Sequence, residues 1–328
     1  MNPYNCYKDQ NKIFKNGKHN DKYAYAYILM KSTDEFESYL LATLVSAYAL
    51  RKQKVKNKII ILLTKDIEKK YYELILTIFD KIYVVNYFFP AKGFIKDIAK
   101  DRWKYLYIKI NLFKLTEYEK IVFINANLLP IRNGDYLFNY KAPAAVPYLI
   151  EFDLFEKSSL NNKQNINKEI KYLKDAKIFC KNNTSEKLKK IKKYENFLEY
   201  NKNTGNMMTS LLIFEPNMET YENLKKILCG KDKKYKDMSF TNDEIFFSYY
   251  YRNDWTFIDI RFNSALFFRK YPFLEYIFIL NYQSGRPFLK KNKSKIKNYP
   301  EFKLWSSYLI SMIKHNPVLI DFVKKVYY

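Results

Sequence analysis

Short apolar runs alternate with helically spaced apolar residues along the first half of the chain. Residues 23 to 36, "YAYAYILMKSTDEF", read as a strand and a turn, with Thr33 or Asp34 placed to cap the helix that follows. That helix repeats Phe36, Tyr39, Leu40, Thr43, Leu44, Ala47 and Tyr48 at helical spacing. Residues 58–66, "KIIILLTKD", form a second buried strand, "IEKKYYELILTIF" its helix, and "KIYVVNYF" a third strand. The amphipathic run at 103–120 predicts another helix. It leads into "KIVFINANLLPIRN", an apolar strand that ends in Asn125-Ala126-Asn127. Strands alternating with helices predict an α/β fold: a mostly parallel sheet flanked by helices.

The second half is less regular. Residues 151–203 are rich in Lys and Asn and read as an insertion, either a lid or low-complexity filler. Residues 207–217 return to strand character, and Met218 to Leu228 to a helix. Residues 239–255 predict a helix with a polar start, and 273–288 a strand running into a loop. One or two amphipathic helices close the chain from residue 301. Residues 1–22 read as a flexible tail, and 23–328 as one domain.

Composition narrows the classes. No window holds 18 uncharged apolar residues, so no transmembrane helix is expected, and the polar start lacks a secretory core. Cys6, Cys180 and Cys229 are scattered, and His19 and His315 are the only histidines, which argues against zinc and a disulfide scaffold. A cytoplasmic compartment is the expectation (host cytoplasm or virion, were the chain viral). The formal charge of +24 has two readings. One is an anionic partner. The other is codon bias in an AT-rich genome, which would also enrich Asn, Ile, Tyr and Phe. No basic run resembles a nucleic-acid arm, so nucleic acid is not the expected partner. Neither a P-loop nor a dinucleotide glycine motif is present.

Two amides two residues apart, where a parallel strand leaves its sheet, sit at the edge where open α/β folds bind ligands. In segment order, roughly residues 23–150 and 205–315 resemble glycosyltransferase family 8, the glycogenin-like enzymes with a GT-A (Rossmann-like) fold. The stretches that carry this are "AYILMKSTDEFESYLLATLVSAYAL", "IKINLFKLTEYEKIVFINANLLPIRNGDYLF", "LLIFEPNMETYENLKKIL", "FILNYQSGRPF" and "PEFKLW". The resemblance implies transfer of a hexose from a nucleotide sugar such as UDP-glucose to a hydroxyl of a glycan or protein, with retained configuration. It places Met30, Ser32, Thr33 and Phe36 at the uridine site, where Phe36 would stack on the base; by pattern alone Phe36 is a core residue. Lys109, sixteen residues before Asn125, falls at the family's donor-contacting Lys, although a solvated Lys reads equally well. Asp243 falls at the acidic residue near the transferred sugar, though Asn242 and Asp243 also suit a helix N-cap. Arg286 replaces a family Lys and would reach phosphate, with Arg102 adding charge. Asn263 matches a family loop Asn.

The chain departs from the family at the metal. Family members hold Mn²⁺ with Asp-x-Asp and a later His. Here those positions are Asn125, Asn127 and Asn281, around Ala126, and the family's Asn-Ser-Gly is Met208-Thr209-Ser210. Amide oxygens bring no charge, so divalent binding is expected to be severely weakened, and no cofactor is assigned. Three readings stay open: a metal-independent transferase whose Lys109, Arg286 and Arg102 neutralise the diphosphate, a binder of nucleotide sugar or glycan without turnover, or an inactive scaffold such as a viral structural component.

Overall fold

The computed structural model describes residues 17–31, 35–94, 101–147, 207–235, 240, 242–265, 277–283, 285–297 and 299–328. The insertion expected at 151–203, most of the expected tail, and Ser32 and Thr33 lie outside the described residues.

In chain order the elements are β1 (Tyr23–Leu29), α1 (Phe36–Lys52), β2 (Lys58–Thr64), a short α2 (Tyr72–Leu76), β3 (Lys81–Val85), a 3-10 segment (Asp101–Lys114), β4 (Lys120–Ile124), β5 (Leu128–Pro130) and β6 (Ala144–Pro147). They continue with β7 (Met207–Phe214), α3 (Met218–Leu228), α4 (Asp243–Tyr250), β8 (Thr256–Phe257), β9 (Ser264–Ala265), β10 (Ile279–Asn281), α5 (Pro300–His315) and α6 (Ile320–Tyr327). Seven strands form one sheet in the order β3-β2-β1-β4-β7-β6-β8, and β5-β10-β9 form a small second sheet. The β3-β2-β1-β4 half is parallel throughout; β7 runs antiparallel to both β4 and β6, and β8 parallel to β6.

The parallel half is buried on both faces, which is why its strands read as continuous apolar runs. Alternation still sorts the side chains. Tyr25, Tyr27, Ile59, Ile61, Val122 and Ile124 face a core shared with α1, α5 and α6. Ala24, Ala26, Ile60, Leu62, Ile121 and Phe123 face a core shared with the 3-10 segment, α3 and α4.

The helix expected over 103–120 is instead 3-10, spans Asp101–Lys114, and ends before β4. Every residue from Tyr107 to Phe113 is buried. The run has no solvent face, and its many aromatic and β-branched residues are modest α-helix formers. The helix expected after β2 shrinks to a 3-10 turn plus the five residues of α2. Pro300 starts α5 at a position where its missing N–H costs nothing.

Phe113 of the 3-10 segment packs on Phe214 of β7, with ring centroids 4.6 Å apart. Both are at most 1% exposed. Phe214→Ala should lower unfolding free energy by about 3–5 kcal/mol, read as a lower urea midpoint at unchanged slope.

Candidate functional site

The carboxyl ends of β1, β2, β3 and β4 share one edge of the sheet, and the amino end of β7 meets them there because β7 runs antiparallel to β4. Its pairing with β6 is interrupted at this edge. Ala145 pairs with Leu212 but Val146 pairs with Met208, so Thr209, Ser210 and Leu211 have no partner on β6. A bulge of this kind bends a strand and re-aims its side chains. Here it sends Thr209 and Ser210 into two different polar clusters.

Thr209 belongs to the first. Lys109 Nζ donates to Asp243 Oδ2 at 2.6 Å, to Thr209 Oγ1 at 3.2 Å and to the Thr209 carbonyl at 3.3 Å. Thr209 Oγ1 also donates to Asp243 Oδ2 at 3.1 Å. Lys109 and Asp243 are 5% and 2% exposed, so this is a buried ion pair. The ammonium also lies 5.2 Å from the Phe123 ring centroid. An ammonium has three donors, and all three are used inside the protein. Lys109 is therefore neither a solvated surface Lys nor a free cation facing phosphate; it holds Asp243 and the bulge together.

The polar start of α4 serves two purposes. Asn242 is the N-cap, its side chain accepting from Ile245 N–H at 2.9 Å. Asp243, the first helical residue, is thereby aimed at Lys109. Glu244 accepts the Thr209 N–H at 3.2 Å. One turn on, Ser248 Oγ accepts the Met207 N–H at 2.7 Å and donates to the Glu244 carbonyl at 2.6 Å. Helix α4 thus grips β7 at residues 207 and 209. Burial pushes the Glu244 carboxyl up to about 7, helped by the Asp243 charge and opposed by Lys109 and the Thr209 N–H. Burial and the Asp243 charge likewise raise the Tyr107 phenol.

Ser210 belongs to the second cluster. Its carbonyl accepts the Asn125 N–H at 2.9 Å, and its hydroxyl accepts from Asn263 Nδ2 at 2.9 Å. Asn263 Oδ1 accepts from Asn281 Nδ2 at 2.9 Å, and Asn281 Oδ1 accepts the Gln283 N–H at 2.8 Å. Asn263 and Asn281 are 1% and 2% exposed. Beside this relay, Asn125-Ala126-Asn127 turns the chain out of β4. Asn125 Oδ1 accepts the Asn127 N–H at 3.3 Å, the Asn125 carbonyl accepts the Leu128 N–H at 2.9 Å, and the Asn127 carbonyl accepts the Tyr282 N–H at 2.8 Å. Asn127 Oδ1 is buried without a hydrogen-bond partner.

The three positions that hold a metal in the resembled family do meet in space, but their chemistry does not fit a divalent cation. Two of the three amide oxygens already accept backbone N–H groups, only that of Asn127 is unspoken for, and none carries charge. No group of three His, Cys, Asp or Glu side chains suited to a metal occurs among the described residues.

The remaining expected positions are scattered around this edge. Met30 is half-buried just past β1. Phe36 is 6% exposed and packs edge-to-face on Tyr71, centroids 5.2 Å apart, in the core. Only the backbone position of Arg102, within the 3-10 segment, is described. Arg286 is half-buried in the turn after β10, with φ of 45°; its backbone N–H reaches the Tyr282 carbonyl at 2.9 Å and its Nε the Gln283 carbonyl at 3.2 Å. No carboxylate pairs with it among the described residues. Phe288 seats this turn on Tyr39 of α1, centroids 5.2 Å apart.

Sequence reasoning missed Glu244, Ser248 and the bulge. The signal for the first two was the helical spacing behind Asp243; a bulge between unpaired segments leaves no sequence signal.

No family model matches the chain. An uncharacterized protein of Acanthamoeba polyphaga mimivirus is 22% identical over 311 residues, covering 89% of this chain and 96% of that protein. An uncharacterized Schizosaccharomyces pombe protein is 24% identical over 147 residues, 42% of this chain and 39% of that protein. Among solved structures, the glycosyltransferase GlyE of Streptococcus pneumoniae superposes with TM-score 0.51 at 11% identity, covering 93% of this chain; this chain spans only 65% of GlyE. The galactosyltransferase LgtC, solved with donor and acceptor sugar analogues, superposes with TM-score 0.54 at 11% identity, covering 88% of this chain and 95% of LgtC. These likenesses show the fold: a GT-A-like, Rossmann-type sheet flanked by helices.

Glu244 sets a pH dependence with a defined sign. An acid whose folded pKa lies above its unfolded value of 4.5 loses stability as pH rises from about 4.5 to about 7, and the loss is complete above that. Glu244→Gln keeps an acceptor for Thr209 and removes the titration. Its stability relative to wild type should grow from pH 5 to pH 8 by on the order of 1–2 kcal/mol, allowing for partial solvent access, in urea unfolding at the two pH values.

Proposed function

We propose that the chain is a retaining hexosyltransferase of the glycogenin-like, family-8 kind, working without a divalent cation. It moves a hexose from UDP-glucose or a similar nucleotide sugar to a hydroxyl on a glycan or protein. The observation that carries this reading is the convergence, at one edge of a GT-A-like sheet, of the Lys109–Asp243 pair, the β7 bulge and the Asn125-Ala126-Asn127 turn.

In the reaction, the bond from the anomeric carbon to the diphosphate breaks and a bond to the acceptor oxygen forms on the same face. The acceptor's proton leaves with the diphosphate, and no protein nucleophile is required. The departing nucleotide gathers negative charge, which preorganised donors stabilise. Arg286, unpaired with any carboxylate among the described residues, supplies the opposing positive charge, and Arg102 is assigned the same role. Met30, with Ser32 and Thr33 outside the described residues, is assigned to the nucleotide. Asp243, oriented by Lys109 and Thr209, is assigned to the transferred sugar. The amide relay offers neutral donors and acceptors where the family uses charge.

A second reading, nucleotide-sugar binding without turnover, draws support from the full use of the Lys109 donors and from the missing carboxylates.

Lys109→Ala leaves Asp243 buried without its cation and frees the bulge. Release of UDP from UDP-glucose should fall about 100-fold or more in the fraction of variant that circular dichroism shows folded. Unchanged release in that variant contradicts the proposal, and no release by the wild-type protein supports the binding reading.

A further inference from the structure

Beyond the two polar clusters, the same sheet edge carries a group of aromatic rings that the proposed chemistry does not use. Tyr87 and Phe89, just after β3, lie nearly parallel, with centroids 5.7 Å apart and planes 12° apart. Tyr105 of the 3-10 segment meets both edge-on, at 5.5 Å and 72° to Tyr87 and at 5.3 Å and 77° to Phe89. Phe89 is 49% exposed, a large apolar ring held open to solvent.

The rings are fixed from below. Tyr87 donates its hydroxyl to Asp66 Oδ2 at 2.9 Å and accepts from Thr64, the last residue of β2, at 3.4 Å. Thr64 Oγ1 accepts the N–H of Lys31, just beyond β1, at 3.4 Å. The carboxyl ends of β1, β2 and β3 therefore all contribute to this platform, at the edge where open α/β sheets hold ligands. The exposed Asp66 carboxylate and the Lys104 ammonium, 5.4 Å from the Tyr105 ring centroid, form a polar rim.

We propose that the Tyr87–Phe89–Tyr105 surface is a carbohydrate subsite that holds a hexopyranose ring of the acceptor glycan; this rests on the transferase reading above. A pyranose has an apolar C–H face that lies against an aromatic ring and equatorial hydroxyls that reach a polar rim. The spacing favours an acceptor sugar over the donor's base. Tyr105 and Lys109 share one 3-10 segment, and four residues at a rise of about 2.0 Å separate them by roughly 8 Å along its axis. That is a distance of one or two sugar rings, whereas a ribose and two phosphates stand between a donor's base and its hexose.

The test is calorimetric titration of the full-length protein with maltotriose, cellotriose and lactose, without nucleotide, alongside a separate titration with UDP. At least one of these sugars should bind the wild-type protein. Phe89→Ala should weaken it about tenfold or more, and Phe89→Tyr, which keeps the ring, should restore it. UDP affinity should be the same in all three proteins. The proposal is overturned if none of the three sugars binds wild type, if Phe89→Ala binds sugar normally, or if Phe89→Ala weakens UDP and leaves sugar binding intact. Failure of the transferase reading would show separately, as absence of UDP release from UDP-glucose by the wild-type protein.

Discussion

The buried ion pair between Lys109 and Asp243 is the interaction on which the rest of this site depends. Two charges withdrawn from water are costly, and their attraction offsets that cost only when geometry is good and the remaining donors are satisfied. Thr209 satisfies them, with its hydroxyl and its carbonyl both on the ammonium. It can do so because β7 leaves its register with β6 at this point. The pair thus fixes the 3-10 segment, the bulge and the start of α4 relative to one another. The other side of the bulge, Ser210, carries that placement to Asn263 and Asn281 and, through its carbonyl, to the end of β4. Removing either charge would strand the other, which is why loss of one partner of such a pair typically costs about 3–5 kcal/mol.

Electrostatics explains how the site can differ so far from the metal-dependent pattern it resembles and still hold one geometry. With amides at Asn125, Asn127 and Asn281, there is no cluster of carboxylates to repel one another in the absence of a cation. Instead the Asn125 and Asn281 oxygens accept backbone N–H groups and Asn281 donates to Asn263, while the buried Asn127 oxygen has no partner. A site organised this way holds its geometry without metal, and under the proposed function Arg286 is the cation assigned to the diphosphate. Glu244 completes the balance. When it ionises, it places a further negative charge beside Asp243.

Much of the fold could be read from the chain because the parallel strands are buried on both faces and so appear as uninterrupted apolar runs. Ile59 to Leu63 and Ile121 to Ile124 are examples. The likeness in segment order also brought Lys109, Asp243, Asn125, Asn127 and Asn281 to one edge of the sheet. What was hidden was set by tertiary contact. The 3-10 geometry of Asp101–Lys114 accompanies burial of every residue from Tyr107 to Phe113, which periodicity cannot register. Whether Lys109 meets water or a carboxylate depends on a residue 134 positions away. Phe36 fits a stacking role by position, yet its ring is taken up by Tyr71. The aromatic group at Tyr87, Phe89 and Tyr105 looks in sequence like two unrelated apolar stretches.

The most direct measurement is calorimetric titration with UDP-glucose, first with Mn²⁺ present and then in EDTA. A site organised by the Lys109–Asp243 pair and the amide relay predicts the same affinity in both conditions. Binding that requires Mn²⁺ would contradict it, since the amide oxygens would then be acting as metal ligands.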